Sequence, residues 1–90
     1  MAEEYKPQYV PGEIVVLFHR EHSRDFALHF GEALGYSLKE EEYPYDKAFI
    51  FCTEKGKEPE ACSTFARRKP FVAEAVQRDQ KLERILRDTP

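Results

Sequence analysis

Apolar and polar positions alternate along this chain in two distinct rhythms. From Glu13 to His19 the run Ile14 to Phe18 is apolar at every position. A strand with one wet face should alternate instead, so β structure is predicted here with both faces in need of cover. From Ser23 the rhythm changes. Phe26, Phe30, Ala33 and Leu34 recur at spacings of three and four, the stripe of an amphipathic helix. Ser23 is placed to cap it, Asp25 suits the positive end of its dipole, and Gly35 stops it. Leu38 to Tyr43 predicts an exposed second strand, ended by Tyr43-Pro44-Tyr45-Asp46. "KAFIFCT" reads as a third strand, rich in aromatic and β-branched residues, and "EKGKE" as a turn. A second helix is expected from Pro59 to Arg68, with Ala61, Cys62, Phe65 and Ala66 on its apolar side and Pro70 beyond its end. "FVAEAV" gives a short fourth strand. The last stretch, "DQKLERILRD", has helical composition, with Leu82, Ile85 and Leu86 on one side.

The order strand, helix, strand, strand, helix, strand is that of the ferredoxin-like α+β fold, βαββαβ. Its antiparallel four-stranded sheet carries both helices on one face. Residues 12–79 make this domain. Residues 1–11, with Pro7 and Pro11, form an irregular arm, and residues 80–90 form a C-terminal tail. The fold by itself leaves function open, because it hosts many unrelated activities. Strand one splits into Ile14, Val16, Phe18 against Val15, Leu17, His19. Strand three splits into Ala48, Ile50, Cys52 against Phe49, Phe51, Thr53. Only one set of each meets the helices, and the other set is still apolar. The open face therefore carries an apolar patch, which marks a partner or oligomer contact unless the tail folds back over it.

Ninety residues make one domain with a modest core, in which seven Phe and five Tyr carry much of the apolar volume. A formal net charge of -3 argues against a general nucleic-acid binder. There is no apolar run of the roughly 18 residues that a membrane helix needs. The acidic start "MAEEYKPQY" lacks the apolar centre of a signal peptide, so a cytoplasmic protein is expected. Without export, Cys52 and Cys62 are expected to be free thiols serving as small buried apolar residues.

No catalytic constellation assembles. His22 and His29, seven apart, could share a helix face with His19 one turn away, but no Asp or Cys completes a metal site at a familiar spacing. The glycines form no phosphate loop, and Ser23, Ser37 and Ser63 sit in no nucleophile elbow. Glu40, Glu41 and Glu42 read as a solvated edge, and "ARRKP" as complement to a helix dipole. The expectation is a non-enzyme without cofactor or metal.

Three stretches in order, "YVPGEIVVLF", "LGYSLKEEEYPYDKAFIF" and "KPFVAEAVQRD", resemble the propeptides of subtilisin-like serine proteases and their free-standing inhibitor relatives. The resemblance spans residues 9–80. It implies the same ferredoxin-like fold and a non-catalytic, protein-binding role. Members of that family lay the open sheet face on helices of the protease and thread an extended tail through its cleft. Carried over residue by residue, the resemblance places Val15, Leu17, Phe49 and Phe51 on that face, where positions 17 and 51 are often lysine in the family. It departs from the family at Ala73, where a Val is usual, and at Gln77, where a Glu is usual. The tail here, with Leu82, Ile85 and Leu86, looks helical and ends in Thr89-Pro90, and no protease domain follows. The expected partner is another protein, a subtilisin-like protease first, or a second copy in a homodimer joined through the apolar face. A small-ligand-binding regulatory module is the third alternative.

Overall fold

The long first strand, β1 (Tyr9–Phe18), lies at the centre of the computed structural model, which describes residues 4–88. It pairs antiparallel with β3 (Ala48–Cys52) on one side and β4 (Val72–Asp79) on the other, and β2 (Ser37–Leu38) adds to the far side of β3. The sheet order β2-β3-β1-β4 is the ferredoxin-like one. Two helices follow the expected pattern, α1 (Arg24–Ala33) and α2 (Glu58–Ala66), and a third, α3 (Gln80–Asp88), follows β4 directly.

Local chemistry sets these boundaries. The Ser23 hydroxyl accepts the Phe26 N–H at 3.1 Å, which satisfies one of the free donors at the start of α1. Pro59 occupies the first turn of α2, where its missing N–H has no cost. β1 begins at Tyr9, inside the segment expected to be irregular, because Tyr9 pairs with Asp79 across a bulge. Gly12 makes that bulge with φ +78, a conformation that favours glycine. The buried Glu58 carboxylate accepts the Gly12 N–H at 2.7 Å and so ties the start of α2 to β1.

The main core lies between the sheet and the two helices. It joins Ile14, Val16 and Phe18 of β1 to Ala27 of α1, Phe51 of β3, Ala61 and Phe65 of α2, and Val72. The Phe51 and Phe65 rings pack at 4.8 Å between centroids, and both side chains are fully buried. Burial of each large apolar side chain contributes about 1.5–3 kcal/mol. On α1 the inward stripe is Ala27 and Gly31 with Phe26, Phe30 and Leu34 beside them, whereas Ala33 is exposed.

Two expectations are corrected here. Phe49 and Phe51 face the helices. In an antiparallel pair, opposed residues share a face. Val15 opposes Ile50 and Leu17 opposes Ala48, so Phe49 and Phe51 go with Val16 and Ile14. Gly31 provides the room, since a Cβ there would overlap the Phe51 ring. The second strand is also shorter and earlier than Leu38 to Tyr43. The Lys39 N–H still bonds the Ile50 carbonyl at 2.8 Å, but Glu41 N–H then turns back to the Lys39 carbonyl. Beyond this point Lys39 pairs with Glu13 and Glu41 with Arg78 through their side chains. The Thr89-Pro90 terminus lies outside the described residues.

Candidate protein-binding surface

The second sheet face is built from alternate residues of three strands. β1 supplies Glu13, Val15 and Leu17, β3 supplies Ala48 and Ile50, and β4 supplies Glu74, Val76 and Arg78. One half of this face is ionic and the other apolar.

Arg78 organises the ionic half. Its side chain is 3% exposed and donates to three carboxylates: Glu83 of α3, Glu13 of β1 and Glu41 of the loop after β2. The two bonds to Glu41 measure 3.1 and 2.8 Å, a paired geometry suited to a planar guanidinium. Lys39 Nζ reaches Glu13 at 2.9 Å and Glu41 at 3.7 Å. Hydrogen bonds donated to Glu83, then Glu41, push the Arg78 pKa above its usual value. The Arg78 bond holds Glu41 below the usual carboxylate range. Burial pushes Glu13 up, and the bonds from Lys39 and Arg78 outweigh it, so its pKa is also lowered.

Asp79 anchors α3 beside this cluster. One carboxylate oxygen accepts the N–H groups of Lys81 at 3.0 Å and Leu82 at 3.4 Å, which caps the helix, and the Gln8 N–H at 2.8 Å. The other accepts the Tyr5 hydroxyl. Burial raises the Asp79 pKa, but the Tyr5 bond and the three backbone donors bring it below normal. The same bond pushes Tyr5 up to about 12. Arg84 also bonds the Gln8 side chain, so the N-terminal arm and α3 are clasped together.

α3 therefore answers what covers the second face of β1, but only in part. Val15 and Ile50 are buried and form a small second core with Ala48, flanked by Leu17 and Tyr43. Beyond them a groove of about 200 Å³ stays open, floored by Val15, Leu17 and Ala48 and walled by Tyr43, Val76, Leu82 and Leu86. Val76 is 42% exposed, Leu82 37% and Leu86 38%. Glu74 and Tyr45 stand at its margin. Of the residues expected on this surface, Val15, Leu17, Leu82 and Leu86 come together. Ile85 lies apart, exposed beside Lys6, Pro7 and Arg84.

Sequence reasoning missed Arg78, Glu13, Glu83 and Asp79. A signal existed: Glu13-x-Val15-x-Leu17 and Glu74-x-Val76-x-Arg78 alternate with period two, putting charge and apolar groups on one face. The histidines serve other ends. His22 stacks on Phe26 at 4.0 Å, His19 Nε2 lies 2.9 Å from the Lys69 carbonyl oxygen, and His29 is exposed. Among the described residues no group of three His, Cys, Asp or Glu side chains is placed to hold a metal. Cys52 and Cys62 are free and half-buried, and burial pushes the Cys62 thiol up. A wider depression of about 530 Å³ between β2 and α2 is lined by Ser37, Thr53, Glu54, Lys57 and Glu60. Among the described residues no buried polar side-chain atom is left unpaired to aim into it. No helix among the described residues is long and apolar enough to cross a membrane. Comparison with family models, with curated proteins and with solved structures finds no match to this chain.

Proposed function

We propose that this protein is a non-catalytic binding module that takes an apolar side chain of a partner protein into the groove on its second sheet face. The observation that carries this reading is the incomplete cover given by α3: Leu17, Val76, Leu82 and Leu86 surround an open apolar groove. Its volume of about 200 Å³ is below the roughly 300–1,000 Å³ of pockets that enclose drug-sized ligands, which favours a protein contact over a small molecule.

The resemblance to propeptide-type inhibitors makes a subtilisin-like protease the first partner to test. α3 changes how such binding would work. The segment that would thread a cleft is helical, capped by Asp79 and tied by Glu83 to Arg78. Binding through the face needs no change in α3, whereas threading requires it to unwind. Calorimetric titration against an active-site-blocked subtilisin-type protease, beside inhibition of the active enzyme, separates these modes. Micromolar binding to the blocked enzyme is expected, weakened about tenfold by Leu17→Gln, equivalent to ~1.4 kcal/mol. Absence of heat and of inhibition at about 100 µM wild type, where even weak specific contacts register, would sink the protease partner.

A further inference from the structure

The outer side of β4 is unusual among the surfaces of this molecule. β4 runs for eight residues and, among the described residues, has β1 as its one neighbour. Which of its backbone groups face outward follows from the bonds on β1. The Phe18 N–H reaches the Lys47 carbonyl on the β3 side, and the His19 N–H reaches the Phe71 carbonyl on the β4 side. Direction alternates along a strand, so Val15 and Leu17 also aim at β4, where they oppose Val76 and Glu74. The backbone groups of Val76 and Glu74 are therefore engaged with β1. Those of Ala75 and Gln77 point away from the sheet. Among the described residues, no backbone or side-chain group outside the β1–β4 ladder bonds them.

Sheet edges of this length are ordinarily protected by lysine, proline or a covering segment. β4 contains neither Lys nor Pro, and Glu74 is the one charge between Val72 and Gln77. The bulge opposite Leu17 and Phe18 lies at its start and the second irregularity lies beyond Gln77, which leaves the stretch from Glu74 to Gln77 regular. The opposite edge differs: β2 is two residues long and runs into Lys39, Glu40, Glu41 and Glu42.

We propose that the protein forms a two-fold dimer in which β4 pairs antiparallel with β4 of a second copy, centred on Val76, to make one continuous sheet. In this register Ala75 of each copy exchanges both backbone bonds with Gln77 of the other, so all the outward groups find partners. Val76 meets Val76 in a non-hydrogen-bonded pair, the spacing at which side chains approach most closely. Glu74 stands across from Arg78, whose guanidinium is 3% exposed and already bonded to Glu13, Glu41 and Glu83, so this rung sets no like charges together. Centring on Ala75 would set Glu74 against Val76, and centring on Gln77 would set Arg78 against Val76. Both oppose charge to an apolar side chain. Assembly closes at two copies, because the edges left at the ends of the joined sheet are the short, charged β2 strands.

This inference goes beyond the partner reading. The edge and the groove share Val76 and, at the groove's margin, Glu74, and Leu17→Gln, which tests the groove, leaves the dimer intact. Light scattering and amide exchange on the whole chain decide the matter. At about 100 µM, a concentration at which modest interfaces are populated, the expected mass is twice the 10.6 kDa of one chain. The Ala75 and Gln77 amides should exchange slowly there and quickly on dilution. Gln77→Pro removes an outward N–H and no bond to β1, and it should give a folded monomer. Should proline at this site perturb the fold, Val76→Lys places like charges across the two-fold at an already exposed position and must also give the monomer. A monomeric wild type at that concentration overturns the proposal. So does a dimer with fast Ala75 and Gln77 amides, or one that survives both substitutions.

Discussion

Arg78 carries more of the second sheet face than any other single side chain. It neutralises Glu13, Glu41 and Glu83 together, and two of these are well shielded from water. Arg78→Met would leave Glu13 and Glu41 with Lys39, and the buried Glu83 with the more distant, half-exposed Arg87 at 3.9 Å. Removing one partner of a buried ionic group costs about 3 kcal/mol or more. Glu41 is 43% exposed and contributes little of that, so a loss of about 3 kcal/mol is expected in a urea titration. Phe51 shows how one face assignment changes an experiment. With Phe51 on an open face, Phe51→Glu would be a surface probe. With its ring fully buried over Gly31, the same change puts an unpaired carboxylate into the core and unfolds the protein. Even Phe51→Ala should cost about 3–5 kcal/mol, read as a lower denaturation midpoint. Alternation along β3 was legible from sequence, since Ala48, Ile50 and Cys52 separate cleanly from Phe49 and Phe51. Which set faces the helices was not, because the β1–β3 register decides that and no local pattern encodes it.

Among the elements, α3 depends most on a few polar bonds. Its apolar side chains Leu82, Ile85 and Leu86 stay more than a third exposed, so burial holds it weakly to the sheet. Its hold comes from the Asp79 cap and from Glu83 on Arg78. Asp79→Ala removes the cap of Lys81 and Leu82 and the bond to Tyr5 at once. A cap is worth about 1 kcal/mol. The expected result is a loss of about that size, with faster amide exchange confined to α3 and the arm. Absorbance titration gives an independent readout: the tyrosine held at about 12 should return toward the ordinary value in Asp79→Asn. The helical composition of this segment was plain in its residues. Its place over the second face was not, because Arg78–Glu83 and Asp79–Tyr5 are tertiary contacts. β2 was misjudged for a related reason. Lys39 still bonds Ile50 through its N–H, and the chain turns back only at Glu41, whose carboxylate meets Arg78.

For the molecule as a whole, these ionised groups define a pH window. Glu13, Glu41, Glu58 and Asp79 all have folded pKa values below their unfolded ones. Their contribution is complete above the unfolded values of about 4–4.5 and is lost as pH falls through the folded values. At the alkaline end the signs reverse. Lys39 is raised by its bond to Glu13, and Tyr5 by its bond to Asp79. Those contributions are complete below the unfolded values of about 10 and are lost as pH rises past them. The thermal midpoint should therefore hold nearly level between about pH 5 and 8, above which the raised Cys62 thiol also begins to cost stability, and fall on both sides, which scanning calorimetry checks. A midpoint already declining from pH 7 to pH 6 would contradict this distribution of charge.

The clasp at Asp79 also has a mechanical consequence. β1 begins where β4 ends, with Tyr9 opposite Asp79, and the arm and α3 depart from the sheet at that same corner. A force drawing the arm and α3 apart acts across the rungs of the β1–β4 ladder and peels them open one after another. Under tension the Gln8–Asp79 and Gln8–Arg84 bonds should give first, at low load, with the ladder following from Tyr9 toward Phe18 like a zip opened from its pull.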